Sequence, residues 1–332
     1  MPEGYVHVCI ARQAAQAAGW PVRCAPAFMA GANGPDMFYC FEAWKPAAAR
    51  RMDLPGVGDR LHGERTGAFL RALHRYAVTP AQQDYFMGFL AHYAVDCTVH
   101  PYVVAVTQPG MPYAGPGGHG YFEIALDSFV HKHCTGDGAV PVEDICPPLP
   151  GEAMAQVAAQ LRRAAAGVFG EELPAELVAD AFAHSHMLRG LFQSRLHIKY
   201  GLFWLLEPLF GGRGRITCHI SPRDLYGQTQ QDKRAGRTLP APWADPCTGQ
   251  VHPEDLWQLL RRAQHNTDAL FQQLLAAGGM TPGTAGTLPQ PGPAGPLAEF
   301  WQAVGSADYV TGTATPASAQ GAVCAPQQQA AR

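Results

Sequence analysis

HYAVDCTVHPY, residues 92–102, is the stretch on which the reading of this chain turns. His92, Asp96 and His100 recur every four residues. On an α-helix four residues turn through about 400°, so each step drifts only about 40° and all three side chains face one side. Between them stand Tyr93, Ala94, Val95, Cys97 and Val99, which are mostly apolar. The polar stripe therefore lies on a helix that is otherwise suited to burial. Two imidazoles and a carboxylate are costly to bury unless they are paired or hold a metal.

A second pair follows the same logic. His119 and Glu123, in HGYFE, are also four apart, at the start of another helix beyond a glycine-rich loop. An imidazole and a carboxylate one helical turn apart can bind one cation. One His-x3-Asp pair alone is ordinarily a surface or capping feature, but two such sets in succession point to metal. Mixed nitrogen and oxygen donors suit Zn²⁺, whereas an all-oxygen set favours Mg²⁺ or Ca²⁺.

Outward from this core the pattern is helical nearly throughout. Tyr5 to Gly19 reads as a helix ending at a glycine, and GANGPDMFY (Gly31 to Tyr39) as a turn in which Asp36 follows a proline where a helix can begin. Apolar spacing of three and four marks 66–78. Thr79-Pro80 opens a helix expected from about Ala81 to His100, ending before Pro101. Further helices are expected at about 120–133, 152–169, 174–189, 190–209 and 254–277. Strand-type alternation is scarce, so the fold class is all-α, a multi-helix bundle. Residues 1–135 form the zinc-site region and 136–277 a helical region packed on it. Residues 278–332 read as a low-complexity, mostly disordered tail with room for a short helix at Leu297–Val304.

Composition narrows the function. Of 332 residues, 47% are hydrophobic and 15% charged, and the net charge is −3, so no basic face is on offer to duplex nucleic acid. Nine cysteines without a CxxC pair argue for reduced thiols. The first residues show no basic run leading into an apolar core, and no segment reaches the ~20 apolar residues of a membrane span, so a cytoplasmic protein is expected. HIKYGLFWLLEPLF (197–210) has aromatics able to contact lipid, although a core helix is its commoner explanation.

His92, Asp96, His100, His119 and Glu123 together resemble the bacterial zinc-dependent phospholipase C family, itself distantly related to fungal single-strand nucleases with a trinuclear zinc site. In the same order along the chain, His7, Asp36 and His62 match the family's remaining positions, and the resemblance covers about residues 1–135. It implies two or three Zn²⁺ ions. Asp36, His62, His92 and Asp96 would hold one, the more exposed set His100, His119 and Glu123 a second, and His7 with a bridging Asp96 a third. It further implies phosphodiester hydrolysis by activated water, with Asp36 orienting that water or accepting its proton.

The expected function is a phospholipase C-like hydrolase of phospholipid head-group phosphodiesters, with transient membrane-surface contact. A phosphodiesterase for nucleotides or single-stranded nucleic acid, and a catalytically degenerate zinc-binding helical protein, are the alternatives. Among other residues, Asp127 suits a partner of a ligating imidazole as well as a solvated helix carboxylate. His131 and His133 suit a helix C-terminus, and His184, His186 and His197 structural roles. Tyr93, Tyr102, Tyr113 and Phe122 are candidate aromatic walls for an acyl glycerol or a base.

Overall fold

The computed structural model describes residues 4–210, 212–226, 238–281 and 294–314, with single residues 234, 286, 288 and 292 between them. Of the tail expected to be mostly disordered over 278–332, residues 315–332 lie outside the described residues, while 294–314 are placed and include the helix Pro296–Val304. The architecture is all-α, with a two-stranded antiparallel hairpin, Trp243–Ala244 against Val251–His252, as its named sheet. The helices are α1 (Tyr5–Ala17), α2 (Ala25–Ala32), α3 (Leu54–Gly63), α4 (Thr66–Arg75), α5 (Pro80–Thr107) and α6 (Gly118–Thr135). They continue with α7 (Gly151–Phe169), α8 (Ala175–Phe192), α9 (Ile198–Leu206), α10 (Leu256–Ala276) and α11 (Pro296–Val304).

Helix α5 is the axis of the molecule. Thr79 caps it, accepting from the Gln82 amide while the Gln82 side chain reaches back to the Thr79 amide, and Pro80 occupies the first turn. Apart from Pro80, Cys97 and Thr107, every residue of α5 is buried. Its first half packs in a core with α2, α4, α7 and α8, together with Phe271 of α10 and Trp301 of α11. Its second half packs in another core with α1, α6 and the start of α10. An all-round buried helix carries no amphipathic stripe, which is why its polar residues stand out.

Two boundaries differ from the sequence reading. Helix α5 continues through Pro101 to Thr107 instead of stopping at His100. A proline removes one amide from the ladder, but burial of Tyr102, Val103 and Val106 holds the last turns in place. The Cys97 carbonyl, which Pro101 deprives of its donor, lies against Gly312, where a Cβ would come within 2.4 Å of the oxygen. The expected helix over 190–209 is instead two pieces. Residues 193–197 leave the helix because Ser194 N donates to Ser221 O (2.8 Å) and Ser221 N to Phe192 O (3.0 Å).

The approach of α2 to α5 sets the geometry of everything nearby. A Cβ on Gly31 would lie 2.0 Å from the Tyr85 carbonyl, and one on Gly88 would lie 2.1 Å from that of Phe28. The two backbones thus touch through reciprocal glycines. Asp84 locks the pair by accepting from Trp20 Nε1 (2.9 Å), Arg23 N (2.7 Å) and Cys24 N (2.6 Å) at the entry to α2. A methyl at Gly88 forces the helices apart. Gly88→Ala is expected to destabilise the protein by about 1–3 kcal/mol, as overpacking does; an unchanged denaturant midpoint would remove the close contact from this role.

Candidate metal centre

Each residue of the centre is placed by its own element. His92, Asp96 and His100 come from α5 and His7 from the first turn of α1. Asp36 opens a short 3-10 turn, Asp36–Cys40, directly after α2, while His62 closes α3. His119 and Glu123 lie on the first turns of α6. Three groups have donor atoms within 4.8 Å of one another: Asp36, His62 and His92; His7, His92 and Asp96; and His100, His119 and Glu123. All eight residues singled out from the sequence are therefore brought together.

Asp96 sits at the middle. Its Oδ1 lies 3.2 Å from His7 Nε2 and 3.3 Å from His100 Nδ1. Its Oδ2 lies 3.0 Å from His92 Nε2 and 3.9 Å from His62 Nε2. One carboxylate thus faces four imidazoles, two from each oxygen. Asp36 closes one side, with Oδ1 2.9 Å from His62 Nε2, and Glu123 the other, with Oε1 3.2 Å from His100 Nε2 and 3.1 Å from His119 Nε2. Two imidazole pairs stack, His7 on His92 and His100 on His119.

The imidazoles are aimed from behind. His92 Nδ1 donates to the Ala32 carbonyl (3.2 Å) and His62 Nδ1 to that of Gly58 (2.8 Å), which directs both Nε2 atoms inward. Gly34, at φ +56°, leaves room for the His92 ring, since a Cβ there would stand 2.2 Å from it. Tyr39 OH contacts His62 Nδ1 at 3.2 Å and donates to Asp59.

Donor chemistry decides whether these residues fit a cation. His92 Nε2 and Asp96 Oδ2 lie 3.0 Å apart and His100 Nδ1 lies 3.3 Å from Asp96 Oδ1, yet these atoms, like His7 Nδ1 and Glu123 Oε2, are buried without a hydrogen bond. Each unsatisfied buried group costs about 1–3 kcal/mol. Concentrated at one point, the sum rivals the whole stability of a domain. A mixed set of imidazole nitrogens and carboxylate oxygens converging at this spacing suits zinc.

Electrostatics describe the same balance. Burial alone would raise the Asp96 carboxyl, but His100, His92 and His7 hold it well below its ordinary range. Glu123 likewise is lowered against the pull of burial by His119 and His100. Burial would strip protons from His92 and His100, yet Asp96 outweighs it and raises both, with Asp36 assisting at His92 and Glu123 at His100. His7 goes the other way, to about 4, because burial wins over Asp96 there.

Tyr309 contributes without having been legible, and Asp127 in a role the sequence did not suggest. Tyr309, fully buried, packs its ring against His62 (5.2 Å) and His92 (5.7 Å), and its amide donates to the His62 carbonyl. Asp127 proves to be neither solvated nor bonded to a ligand. Its carboxylate caps α1 by accepting from Tyr5 N (2.8 Å) and Val6 N (2.9 Å), which fixes the turn carrying His7. Burial raises it to about 7. His131 bonds the Asp137 carbonyl near the end of α6, while His184 and His186 bond backbone atoms of Glu42 and Cys146. The expected aromatic walls are core instead: Tyr93 OH donates to Val304 O, Tyr102 OH to Pro240 O, and Phe122 is fully buried.

The comparison with known families meets this geometry. The zinc-dependent phospholipase C family model matches residues 6–161, a span that contains every residue of the three groups. Through that match residues 6–161 belong to the zinc-dependent phospholipase C family, a family of zinc-dependent hydrolases. No curated protein and no solved structure matches the chain.

The raised imidazoles give a pH test. Protons on His92 and His100 compete with a cation below their raised pKa values, so zinc affinity should fall as pH falls. Zinc added to the metal-free protein at pH 7 in weak buffer should release about one proton or more per chain; no release would exclude these histidines as ligands. Asp96→Asn should lower bound zinc most of all single changes, read by elemental analysis.

Proposed function

We propose that this protein hydrolyses the head-group phosphodiester of phospholipids, with zinc held by His7, Asp36, His62, His92, Asp96, His100, His119 and Glu123. The observation that carries the reading is the central Asp96, with an imidazole pair at each oxygen, inside the 6–161 span that matches the zinc-dependent phospholipase C family. Bound zinc supplies Lewis acidity, lowering the pKa of water and neutralising charge on phosphoryl oxygens.

The chain's own residues divide the remaining work. Asp96 and the imidazoles behind it fix the positions of the donors. Asp36, anchored by His62 at 2.9 Å, orients the attacking water and takes its proton at a carboxylate oxygen. His119 has the most exposed side chain of the set (44%), whereas His92 and Asp96 are closed off. The phosphodiester therefore enters over His119 and Glu123. The buried floor formed by Phe89, Tyr93 and Tyr309 excludes bulk water from the far side.

Asp36→Asn keeps the shape and one ligating oxygen but removes the base. It should lower turnover of phosphatidylcholine by about 10²-fold or more while most zinc is retained; unchanged turnover would take Asp36 out of this role. Extraction of zinc by a chelator should abolish turnover, with recovery on adding zinc back.

A further inference from the structure

Helix α9 reverses the ordinary rule of burial. The sequence IKYGLFWLL favours a core helix, yet none of its residues is buried. Leu196 is 81% exposed, Ile198 71%, Leu202 56%, Leu205 68% and Leu209 78%. From Ile198 onward the spacing is four, three and four, so these side chains form one stripe along one face. The segment is too short to cross a bilayer, since nine residues of helix reach about 14 Å against ~30 Å of hydrocarbon. Among the described residues no helix is long and apolar enough to do so.

The stripe is held rigidly. Ser194 Oγ accepts from Lys199 N (3.1 Å) at the start of α9. At its end the buried Glu207 carboxylate accepts from Gly214 N, Ile216 N, Thr217 N and Thr217 Oγ1. That carboxylate is the sole acid between residues 195 and 215, and it is consumed by these bonds. Four cations stand in the same stretch: Arg195, Lys199, Arg213 and Arg215. Arg213 lies over the Trp204 ring at 3.6 Å, and Arg195 pairs with Asp137 at 3.1 Å. An apolar stripe with a basic rim and an aromatic beside it is the chemistry of a helix lying in a lipid headgroup layer.

Its position ties it to the metal centre. Phe203 of α9 packs on Phe192, and Phe192 on His219. His219 in turn abuts Gly120, the residue after His119, where a Cβ would be 2.9 Å from its ring. The exposed stripe is thus braced on the same end of α6 that carries the open edge of the site.

We propose that α9 with its flanking arginines is a docking element for a phospholipid bilayer surface, laying Ile198, Leu202, Leu205 and Leu209 into the headgroup layer beside the His119 entrance. The proposal rests on the phospholipid reading for its choice of partner. The basic rim against lipid phosphate favours a membrane over a second copy of this chain, whose α9 would set like charges against like.

The test uses the zinc-loaded full chain and flotation with vesicles of phosphatidylcholine, alone and with phosphatidylglycerol. The wild type should float with both, more strongly with the anionic lipid, and less so at high salt. The double change Leu202→Ser, Leu205→Ser should weaken partition by about tenfold or more. It should leave hydrolysis of a soluble phosphodiester unchanged, which also shows that the variant folds. As a second readout, brominated lipid should quench fluorescence in the wild type and less in Trp204→Phe. Equal flotation of variant and wild type overturns the proposal, as does a wild type that does not float. A dimer that the double change converts to monomer, with vesicle binding intact, overturns it in favour of a second copy. Binding without turnover of any phosphodiester would instead sink the proposed function and leave the docking element standing.

Discussion

The structure depends on one buried carboxylate. Asp96 lies in the middle of the most enclosed helix of the molecule and turns each oxygen toward two imidazoles from different elements. A bare anion in such a place is strongly disfavoured, so its neighbours must supply positive charge, as protons or as a cation. The consequence reaches well beyond the helix. α1, α3 and α5 each deliver a histidine to the same point, and α2 supports one of them from behind with the Ala32 carbonyl. The bundle is packed around the demand of this one group.

Close packing makes that convergence accurate. Gly31 and Gly88 let two backbones meet, Asp84 fixes the entry to α2, and Gly34 leaves the His92 ring its space. Asp127 does for α1 what Asp84 does for α2, since both are buried acids spent on backbone amides. The site therefore rests on helix starts that are pinned, while the one open side chain, His119, stands where the loop before α6 meets the 214–219 segment.

Much of this could be read from the sequence because helical periodicity acts over short range. Residues four apart share a face whatever the rest of the chain does, so His92, Asp96, His100, His119 and Glu123 were legible directly. His7, Asp36 and His62 were visible only through resemblance, because nothing local links residues on three separate elements. Tyr309 was not visible at all, and Asp127 was noticed but its role as the acceptor for the Tyr5 and Val6 amides was not. Tyr309 reaches the centre from a Gly- and Pro-rich region that local composition marks as unstructured, and Asp127 acts on amides more than a hundred residues away. The continuation of α5 past Pro101 was hidden for a similar reason: local propensity argued for a stop, and tertiary burial prevailed. α9 shows the converse, since an apolar pattern states affinity for a nonpolar phase without stating which one.

Tyr309 also places the centre in time. Its ring and amide close the side of His62 and His92, and it follows them by more than two hundred residues. A chain emerging from the ribosome can bring its first six helices together while this wall is still unmade. The enclosure of the centre is thus a late event of synthesis, and a chain cut short before α11 would carry the donors but expose them to solvent. The segment that carries Tyr309 acts as the stopper of the vessel.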